Sequence, residues 1–309
     1  MKGKRSPVPT LCCIPDCQHR HLANFFPAYE IELRDAAHSL IADNTQAVFL
    51  SSEDARKDFC RFHPEEADKA YVLRFVSNSP DASKLPPTDS WKSRHFGGPF
   101  FCVPNQLWVH KNHGVVIEAL GLLAAQGWRP LVISTGTTHD YRNPDYFPAL
   151  CSRLEKVGLS DRLRFLGLGP YAEVAVFMRN AIAFINPSLF EGWSTTVEKA
   201  KSIGKRLMLS DLADHREQAP TRSLFFDPHS SDDLAAKMIE VLKSYDPVIE
   251  RHELDCTVQK LPERLRDYAR TYEEIVLNVI ARYDRREAAS SSQSGMEGSP
   301  GIRVVRFLV

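Results

Sequence analysis

The feature that most constrains the fold is a repeated alternation of strand-like and helix-like segments between residues 97 and 245. Short apolar runs such as PFFCV and IAFIN alternate with longer stretches that have apolar residues at helical spacing, such as HGVVIEALGLLAA. Six units of this kind favour a parallel sheet, because parallel strands need crossover connections that are usually helical. We therefore predict an α/β protein with parallel sheets.

A smaller copy of the same pattern precedes this region. PTLCCIP, QAVFLSS and KAYVLRFVS are predicted strands with helices between them, and the Ser-, Pro- and Asp-rich segment 77–98 is the predicted linker. The expected organisation is two domains, an amphipathic helix that packs back on the first domain, and a disordered tail. Their predicted bounds are, in this order, 1–95, 96–262, 263–284 and 285–309.

Charge and hydropathy exclude several classes of partner. Lys plus Arg and Asp plus Glu both total 39, so the formal net charge is zero, and nothing indicates nucleic acid or an anionic membrane as the main partner. No apolar run reaches the roughly 20 residues of a membrane span. Seven cysteines in a chain of this length favour reduced thiols. We expect a cytoplasmic protein, and peripheral membrane association is left open.

Two loops that follow predicted strands carry candidate binding groups. In parallel sheets, ligands bind at the carboxyl ends of the strands, where loops lead into helix N-termini. The loop 104–113 contains Asn105 and Lys111, whose ammonium group can bind a phosphate. The loop 134–145 contains Gly136 and several hydroxyl residues. Both loops are expected at the same edge of the sheet.

A third loop, NPSLFEGWSTTVEK, has the strongest signal. A strand ends just before it, and hydroxyl residues around Ser194 and Thr195 begin a helix whose free N–H groups form an anion site. Glu191 and Glu198 are candidates for binding pairs of sugar hydroxyls. The alternative interpretation is that both glutamates are surface carboxylates and that the hydroxyl residues only cap the helix.

PSLFEGWSTTVEKAKSIGK resembles the nucleotide-sugar signature of the retaining glycosyltransferases of family 4. NQLWVHKNH, RLRFLGLGP and FFDPHSSDDLA surround it in the order found in that family. The resemblance implies the GT-B fold of two Rossmann-like domains. It also implies transfer of a hexosyl group, with retention, from a UDP- or GDP-sugar to an unknown glycan, lipid or small-molecule acceptor. Because no Asp-x-Asp motif lies near these loops, we predict no metal and no cofactor.

The resemblance also assigns roles to residues. Lys111 matches the lysine that contacts the donor diphosphate, and Glu191 matches the first glutamate of an E-x7-E pair. The second position of that pair is Lys199, one residue beyond Glu198, and Gln106 stands where the family usually has an arginine. The other donor-binding candidates follow from the same match or from the loops: Asn105, Gly136, Gly192, Trp193, Ser194, Thr195 and Glu198.

The N-terminal part contributes one further catalytic candidate. PDCQHRHLANFFP resembles the family segment in which a histidine faces the transferred sugar, and His19 is the best match. This gives His19 and Glu191 as the predicted catalytic residues. About 95 residues precede the second domain, against roughly 150 for a complete domain of this type. We therefore expect the N-terminal Rossmann-like domain to be incomplete.

Two alternatives stay open at this point. The chain could be a shortened remnant that binds a nucleotide sugar without catalysis, in a regulatory role or none. It could also be a metal-binding protein, because CCIPDCQHRH, residues 12–21, combines three cysteines, an aspartate and two histidines. Against the second alternative, no further pair of ligands follows at the separation that zinc sites usually show.

Overall fold

A computed structural model describes residues 8–77, 98–218, 220–294 and 306–308. The chain forms two compact units. One consists of the described residues of Met1–Val76 and Pro262–Val309, and the other of those of Ser77–Leu261. The predicted linker 77–98 lies outside the described residues except at its two ends.

Strands and helices alternate along most of the chain. The strands are β1 Thr10–Cys13, β2 Ala47–Leu50, β3 Ala70–Val72, β4 Phe100–Val103, β5 Leu131–Ser134, β6 Leu163–Phe165, β7 Ala183–Asn186, β8 Leu207–Ser210, β9 Ser223–Phe226 and β10 Arg306–Leu308. The helices are α1 Gln18–His21, α2 Ala28–Asn44, α3 Glu53–Phe62, α4 His113–Ala125, α5 Tyr146–Lys156, α6 Tyr171–Asn180, α7 Thr195–Ser202, α8 Ala213–Gln218, α9 Ser231–Ser244 and α10 Pro247–Ser294. Within the described residues, no helix is long and apolar enough to cross a membrane.

The strands form two sheets in which every neighbouring pair is parallel. The small sheet has the order β10-β1-β2-β3, and the large sheet has the order β6-β5-β4-β7-β8-β9. The predicted α/β fold with parallel sheets is therefore confirmed.

Side chains of β4 show how the large sheet is buried on both faces. Phe101 and Val103 belong to one apolar cluster with residues of α4 and α9, while Phe100 and Cys102 belong to another with residues of α6 and α7. Successive side chains of a strand point to opposite faces, so a continuous apolar run is what a sheet covered on both sides requires. This packing explains why the strands read as uninterrupted apolar segments.

The small sheet is covered on one face by the later part of α10. Ile275 and Val279 of this helix pack with Leu11, Ala47 and Phe49. The remaining strand residues face the other side, where Val48 and Leu50 lie in a cluster with residues of α2 and α3. The small unit thus buries two thin apolar layers on its sheet.

The C-terminal part of the chain is more ordered than expected. α10 runs from Pro247 to Ser294, beyond the predicted helix 263–284, and β10 pairs in parallel with β1. Both findings correct the predicted disordered tail 285–309, of which 295–305 and 309 lie outside the described residues. DRREAA contains good helix formers that extend the preceding helix, and apolar residues near the terminus suit a strand.

The large sheet has a topological switch point between β4 and β7. From β4 the chain proceeds outward through β5 and β6, and then returns to the other side of β4 to continue through β7, β8 and β9. Loops that leave the carboxyl ends of β4 and β7 therefore turn in opposite directions and leave a crevice. The loop with Asn105 and Lys111 follows β4, and the loop with Glu191 follows β7.

Candidate functional site

Two asparagines join the strands on either side of the switch point. Asn105 follows β4 and Asn186 ends β7, and both side chains are buried. The Asn105 amide Nδ2 donates to Asn186 Oδ1 at 2.9 Å, and the Thr196 hydroxyl donates to Asn105 Oδ1 at 2.8 Å. Asn105 is therefore a bridge between β7 and the first turn of α7.

Glu191 and Lys111 form a nearly buried ion pair beside this bridge. Lys111 Nζ lies 2.7 Å from Glu191 Oε1, with 16% and 9% of the two side chains exposed. The Ser188 hydroxyl lies 2.7 Å from the same oxygen. Burial disfavours the carboxylate, but the Lys111 ammonium group and the Ser188 hydroxyl outweigh burial, and the pKa of Glu191 is lowered to about 2. Glu191 is ionised at neutral pH and bound through one oxygen, Oε1.

Asn186 is the centre of the polar network. Its Nδ2 donates to Ser194 Oγ at 2.8 Å and lies 3.3 Å from His215 Nε2. His215 Nδ1 is 2.8 Å from the Ser210 carbonyl oxygen, which can only accept, so Nδ1 carries the hydrogen and Nε2 accepts from Asn186. Burial lowers the pKa of His215, which keeps the ring neutral and preserves this arrangement.

Two N–H groups in the first turn of α7 are open, in the sense that no acceptor among the described residues binds them. Ser194 caps the helix, because its Oγ accepts from the Val197 N–H, and its own N–H donates to Gln218 Oε1 at 3.0 Å. In the described part of the chain, the N–H groups of Thr195 and Thr196 donate no hydrogen bond. The Ser194 N–H, which was predicted to bind the ligand, is therefore already hydrogen-bonded. The N–H groups of Thr195 and Thr196 remain available.

The loop after β5 supports the loop that carries Lys111. Asp140 is buried and its Oδ2 accepts from the Val109 N–H at 3.2 Å, while the Trp108 indole donates to the His139 carbonyl oxygen at 3.3 Å. Gly136 lies where this loop begins, with φ +139°, and its N–H donates to the Gly167 carbonyl oxygen at 3.0 Å. The predicted donor residue Gly136 thus adjoins the site through its backbone.

Glu198 and Trp193 are placed differently from an open ligand group. The Glu198 side chain is fully buried, and its Oε1 accepts from Lys201 Nζ at 3.0 Å and from Gln218 Nε2 at 3.2 Å. A direct bond to a ligand hydroxyl would require Glu198 to leave these partners. Trp193 is 8% exposed, and Lys201 Nζ lies 5.9 Å from the centre of its ring. Gly192 is also buried.

His19 belongs to the small unit, on the short helix α1. Its ring is 1% exposed, and Nε2 lies 2.9 Å from Asp35 Oδ1. Nδ1 is buried and has no hydrogen-bond partner within the described residues. The ring borders an open pocket of about 100 Å³, together with His38 and His63, whose pKa values burial lowers, to about 4 for His38.

The CCIPDCQHRH segment does not form a convergent ligand set. Its two histidines contact different carboxylates, Asp35 for His19 and Asp58 for His21, while burial raises the pKa of Cys17 to about 12. Across the ranges that the structure describes, no group of three or more His, Cys, Asp or Glu side chains is arranged to hold a metal. The segment is used for strand β1 and for ion pairs of α1.

Several residues of the site were not singled out from the sequence as candidates. Asn186, Ser188 and Gln218 hold Glu191 and Ser194 in place, and His215 accepts a hydrogen bond from Asn186. An asparagine at the last position of a buried apolar strand is an unusual polar residue, and this was the one signal that could have identified Asn186. Gln218 gives no such signal, because its partners are far away in the sequence.

Acid sensitivity should arise partly from His113, the first residue of α4. Its ring is 1% exposed, neither nitrogen has a partner among the described residues, and burial lowers its pKa to about 3. Between pH 6.5 and about 3 the unfolded chain binds a proton that the folded chain excludes, so this contribution to stability falls as the pH falls. We expect His113→Leu to raise the free energy of unfolding at pH 5 by about 2 kcal/mol and to flatten its pH dependence.

Urea denaturation between pH 4.5 and 7.5 measures this effect. His229→Leu, at an exposed position, is the matched control and should leave the pH dependence unchanged. A slope for His113→Leu equal to that of the unaltered protein would show that this ring does not cause the acid sensitivity.

Comparisons with known proteins agree with this architecture. Residues 87–271 match the family model of the glycosyl transferases group 1. Sucrose-phosphate synthase from Thermosynechococcus elongatus is similar in structure, with TM-score 0.61 and 17% identity over 84% of this chain. HepE from Anabaena, solved with UDP, has TM-score 0.63 and 15% identity over 91%. A UDP-forming α,α-trehalose-phosphate synthase from Burkholderia xenovorans has TM-score 0.64 and 14% identity over 88%.

The chain is shorter than these relatives. It spans 62% of the sucrose-phosphate synthase, 72% of HepE and 69% of the trehalose-phosphate synthase. No curated protein sequence gives a significant match. The matched family region covers the large sheet, its switch point and every residue of the polar network around Asn186. By this match, the chain belongs to the glycosyl transferases group 1 family.

Proposed function

We propose that the protein is a retaining glycosyltransferase of family 4 that transfers a hexosyl group from a UDP- or GDP-sugar. The observation that carries the proposal is the Lys111–Glu191 pair beside two open N–H groups of α7, at the switch point of the large sheet. A cation, two amides and a carboxylate suit a ligand that has a diphosphate at one end and sugar hydroxyls at the other.

Each group has a separate role in this proposal. The Lys111 ammonium group and the amides of Thr195 and Thr196 stabilise the leaving diphosphate, and Glu191 accepts hydrogen bonds from sugar hydroxyls through its second oxygen. The bond between the anomeric carbon and the diphosphate oxygen breaks, and a bond to the acceptor oxygen forms on the same face. The acceptor proton leaves with the diphosphate.

UDP-glucose is the first donor to test. HepE has been solved with UDP-glucose, and the trehalose-phosphate synthase from Burkholderia xenovorans is UDP-forming. Isothermal titration of the protein with UDP-glucose, and separately with a GDP-hexose, should give saturable binding to one of them. Absence of binding to both would overturn the proposal.

Catalysis and its stereochemistry need separate measurements. Release of UDP or GDP in the presence of candidate acceptors measures turnover. NMR of the product should show that the transferred sugar keeps the anomeric configuration that it had in the donor. Release should persist in EDTA, since neither a metal nor a cofactor is part of this proposal. We expect His19→Ala to reduce turnover, because His19 is the second proposed catalytic residue. His19 Nε2 lies 2.9 Å from Asp35 Oδ1, so His19→Gln, which keeps a hydrogen-bond donor, is the milder companion variant.

A second candidate is a nucleotide-sugar-binding protein without turnover. The observation that favours it is the buried Glu198 carboxylate, which is bound by Gln218 and Lys201, while Lys199 stands at the second position of the E-x7-E pair. Binding of UDP-glucose without release of UDP, in the presence of a broad acceptor panel, would support this candidate. In either case we expect a cytoplasmic protein, because nucleotide sugars are its proposed ligands.

A further inference from the structure

Gln218 makes two hydrogen bonds with Ser194, the cap of α7, and one with Glu198 of that helix, although it lies 24 residues after the cap. Its Oε1 accepts from the Ser194 N–H at 3.0 Å, and its Nε2 donates to the Ser194 carbonyl oxygen at 3.1 Å and to Glu198 Oε1 at 3.2 Å. Only 2% of Gln218 is exposed. The orientation of the amide is fixed by its partners, because one partner only donates and two only accept.

These bonds determine which N–H groups at the start of α7 remain open. A helix begins with several N–H groups that have no partner inside the helix. The Ser194 N–H donates to the Gln218 side chain, and the Val197 N–H donates to the Ser194 hydroxyl. The Glu198 N–H donates to the Ser194 carbonyl oxygen. Thr195 and Thr196 are left as two adjacent donors in a fixed orientation.

The helix α8 holds Ser194 from two directions. Gln218 binds its backbone, while His215, one turn earlier on the same helix, binds Asn186, which donates to the Ser194 hydroxyl. Both side chains come from one face of α8, as residues three apart do. The position of the open amides therefore depends on α8, whose own residues need not touch the ligand.

We infer that Gln218 is a positioning residue that aligns the Thr195 and Thr196 amides for the donor diphosphate. The inference rests on the proposed function, since it concerns the same donor site. Loss of the Gln218 amide would free the Ser194 backbone and let the first turn of α7 fray, so that the two donors would lose their common orientation.

Gln218→Met tests this with a side chain of similar length that makes none of the three bonds. We expect its dissociation constant for UDP-glucose to rise about 10- to 50-fold, the loss that misaligned charge-assisted bonds usually cause. Gln126→Met is the matched control. It makes the same substitution at an exposed position directly after α4, so its affinity for UDP-glucose should stay within about twofold.

Gln218→Glu adds a readout that a purely structural role would not affect. An ionised carboxylate cannot donate to the Ser194 carbonyl oxygen and repels Glu198, whereas the protonated acid can donate as the amide does. Burial beside Glu198 raises the pKa of the new acid. The affinity deficit relative to the unaltered protein should therefore shrink from about 30-fold at pH 8 to about threefold at pH 5.5.

Measuring each variant against the unaltered protein at the same pH cancels the effects of the other groups near this position, Lys201, His215 and Glu198. If the unaltered protein binds UDP-glucose and Gln218→Met binds it equally well, the inference is wrong and the proposed function stands. A deficit of Gln218→Glu that does not change with pH also contradicts it, even if Gln218→Met does not fold. If the unaltered protein binds neither a UDP- nor a GDP-sugar, the proposed function itself fails.

Discussion

Lys111→Met should weaken UDP-glucose binding about 100-fold or more and lower the free energy of unfolding by about 3 kcal/mol. Both effects follow from the ion pair with Glu191, whose Oε1 lies 2.7 Å from Lys111 Nζ. The variant leaves a carboxylate buried without its cation, which is the costly way to break such a pair. It also removes the positive charge that the proposed function places against the diphosphate.

The double variant Lys111→Met/Glu191→Gln separates these two effects. Removing both charges eliminates the unpaired carboxylate, so most of the stability should return, while UDP-glucose affinity should stay low. Urea denaturation gives the first quantity and isothermal titration the second. Lys243→Met, at an exposed position of α9, is the control and should change neither.

Acid titration provides an independent view of the same pair. The pKa of Glu191 is lowered to about 2 from 4.5, so its contribution to stability is complete above pH 4.5 and is lost as the pH falls towards 2. Glu191→Gln should remove this part of the pH dependence. If Lys111→Met were as stable as the unaltered protein and bound UDP-glucose normally, the pair would have neither role.

Lys111 and Glu191 lie 80 residues apart in the sequence, yet their meeting could be anticipated. Each follows a strand in a region with a clear strand–helix alternation, and the carboxyl ends of parallel strands lie at one edge of a sheet. The spacing of apolar residues was sufficient for this step, because it reflects burial on both faces of the large sheet.

The partners that fix these residues could not be anticipated in the same way. Asn186 and Gln218 act through amide groups, whose partners depend on side-chain directions rather than on any periodicity. Glu198 shows the same limit, because its position in the sequence did not indicate that its carboxylate would contact Gln218 and Lys201. Sequence patterns report which face is buried, but not which polar atoms meet there.

The C-terminal segments show a second limit of sequence reasoning. Pro262 inside α10 would ordinarily suggest a helix boundary, because proline lacks an N–H and crowds the preceding turn. The helix nevertheless continues and packs Ile275 and Val279 on the small sheet, so tertiary burial outweighs the local cost. β10 pairs with β1 at the edge of the small sheet, and no local sequence pattern predicts this long-range contact.

Gly136→Ala should lower the free energy of unfolding by about 3 kcal/mol or more. Gly136 has φ +139°, which other residues rarely adopt, and a Cβ atom there would lie 2.5 Å from the Asn105 carbonyl oxygen. Because that neighbour is backbone, the clash cannot be relieved by a side-chain rotation. Asn105 would have to move, together with its bonds to Asn186 and Thr196.

Gly121→Ala provides a matched control for this prediction. Gly121 lies inside α4, and a Cβ atom there meets nothing within 4 Å, so alanine should stabilise the helix by about 1 kcal/mol. Urea denaturation of both variants should therefore give changes of opposite sign. UDP-glucose affinity should fall only in Gly136→Ala, because only that change displaces Asn105. If the two alanine variants were equally stable, the close approach of the two loops would not constrain the site, and Gly136 would be an ordinary loop glycine.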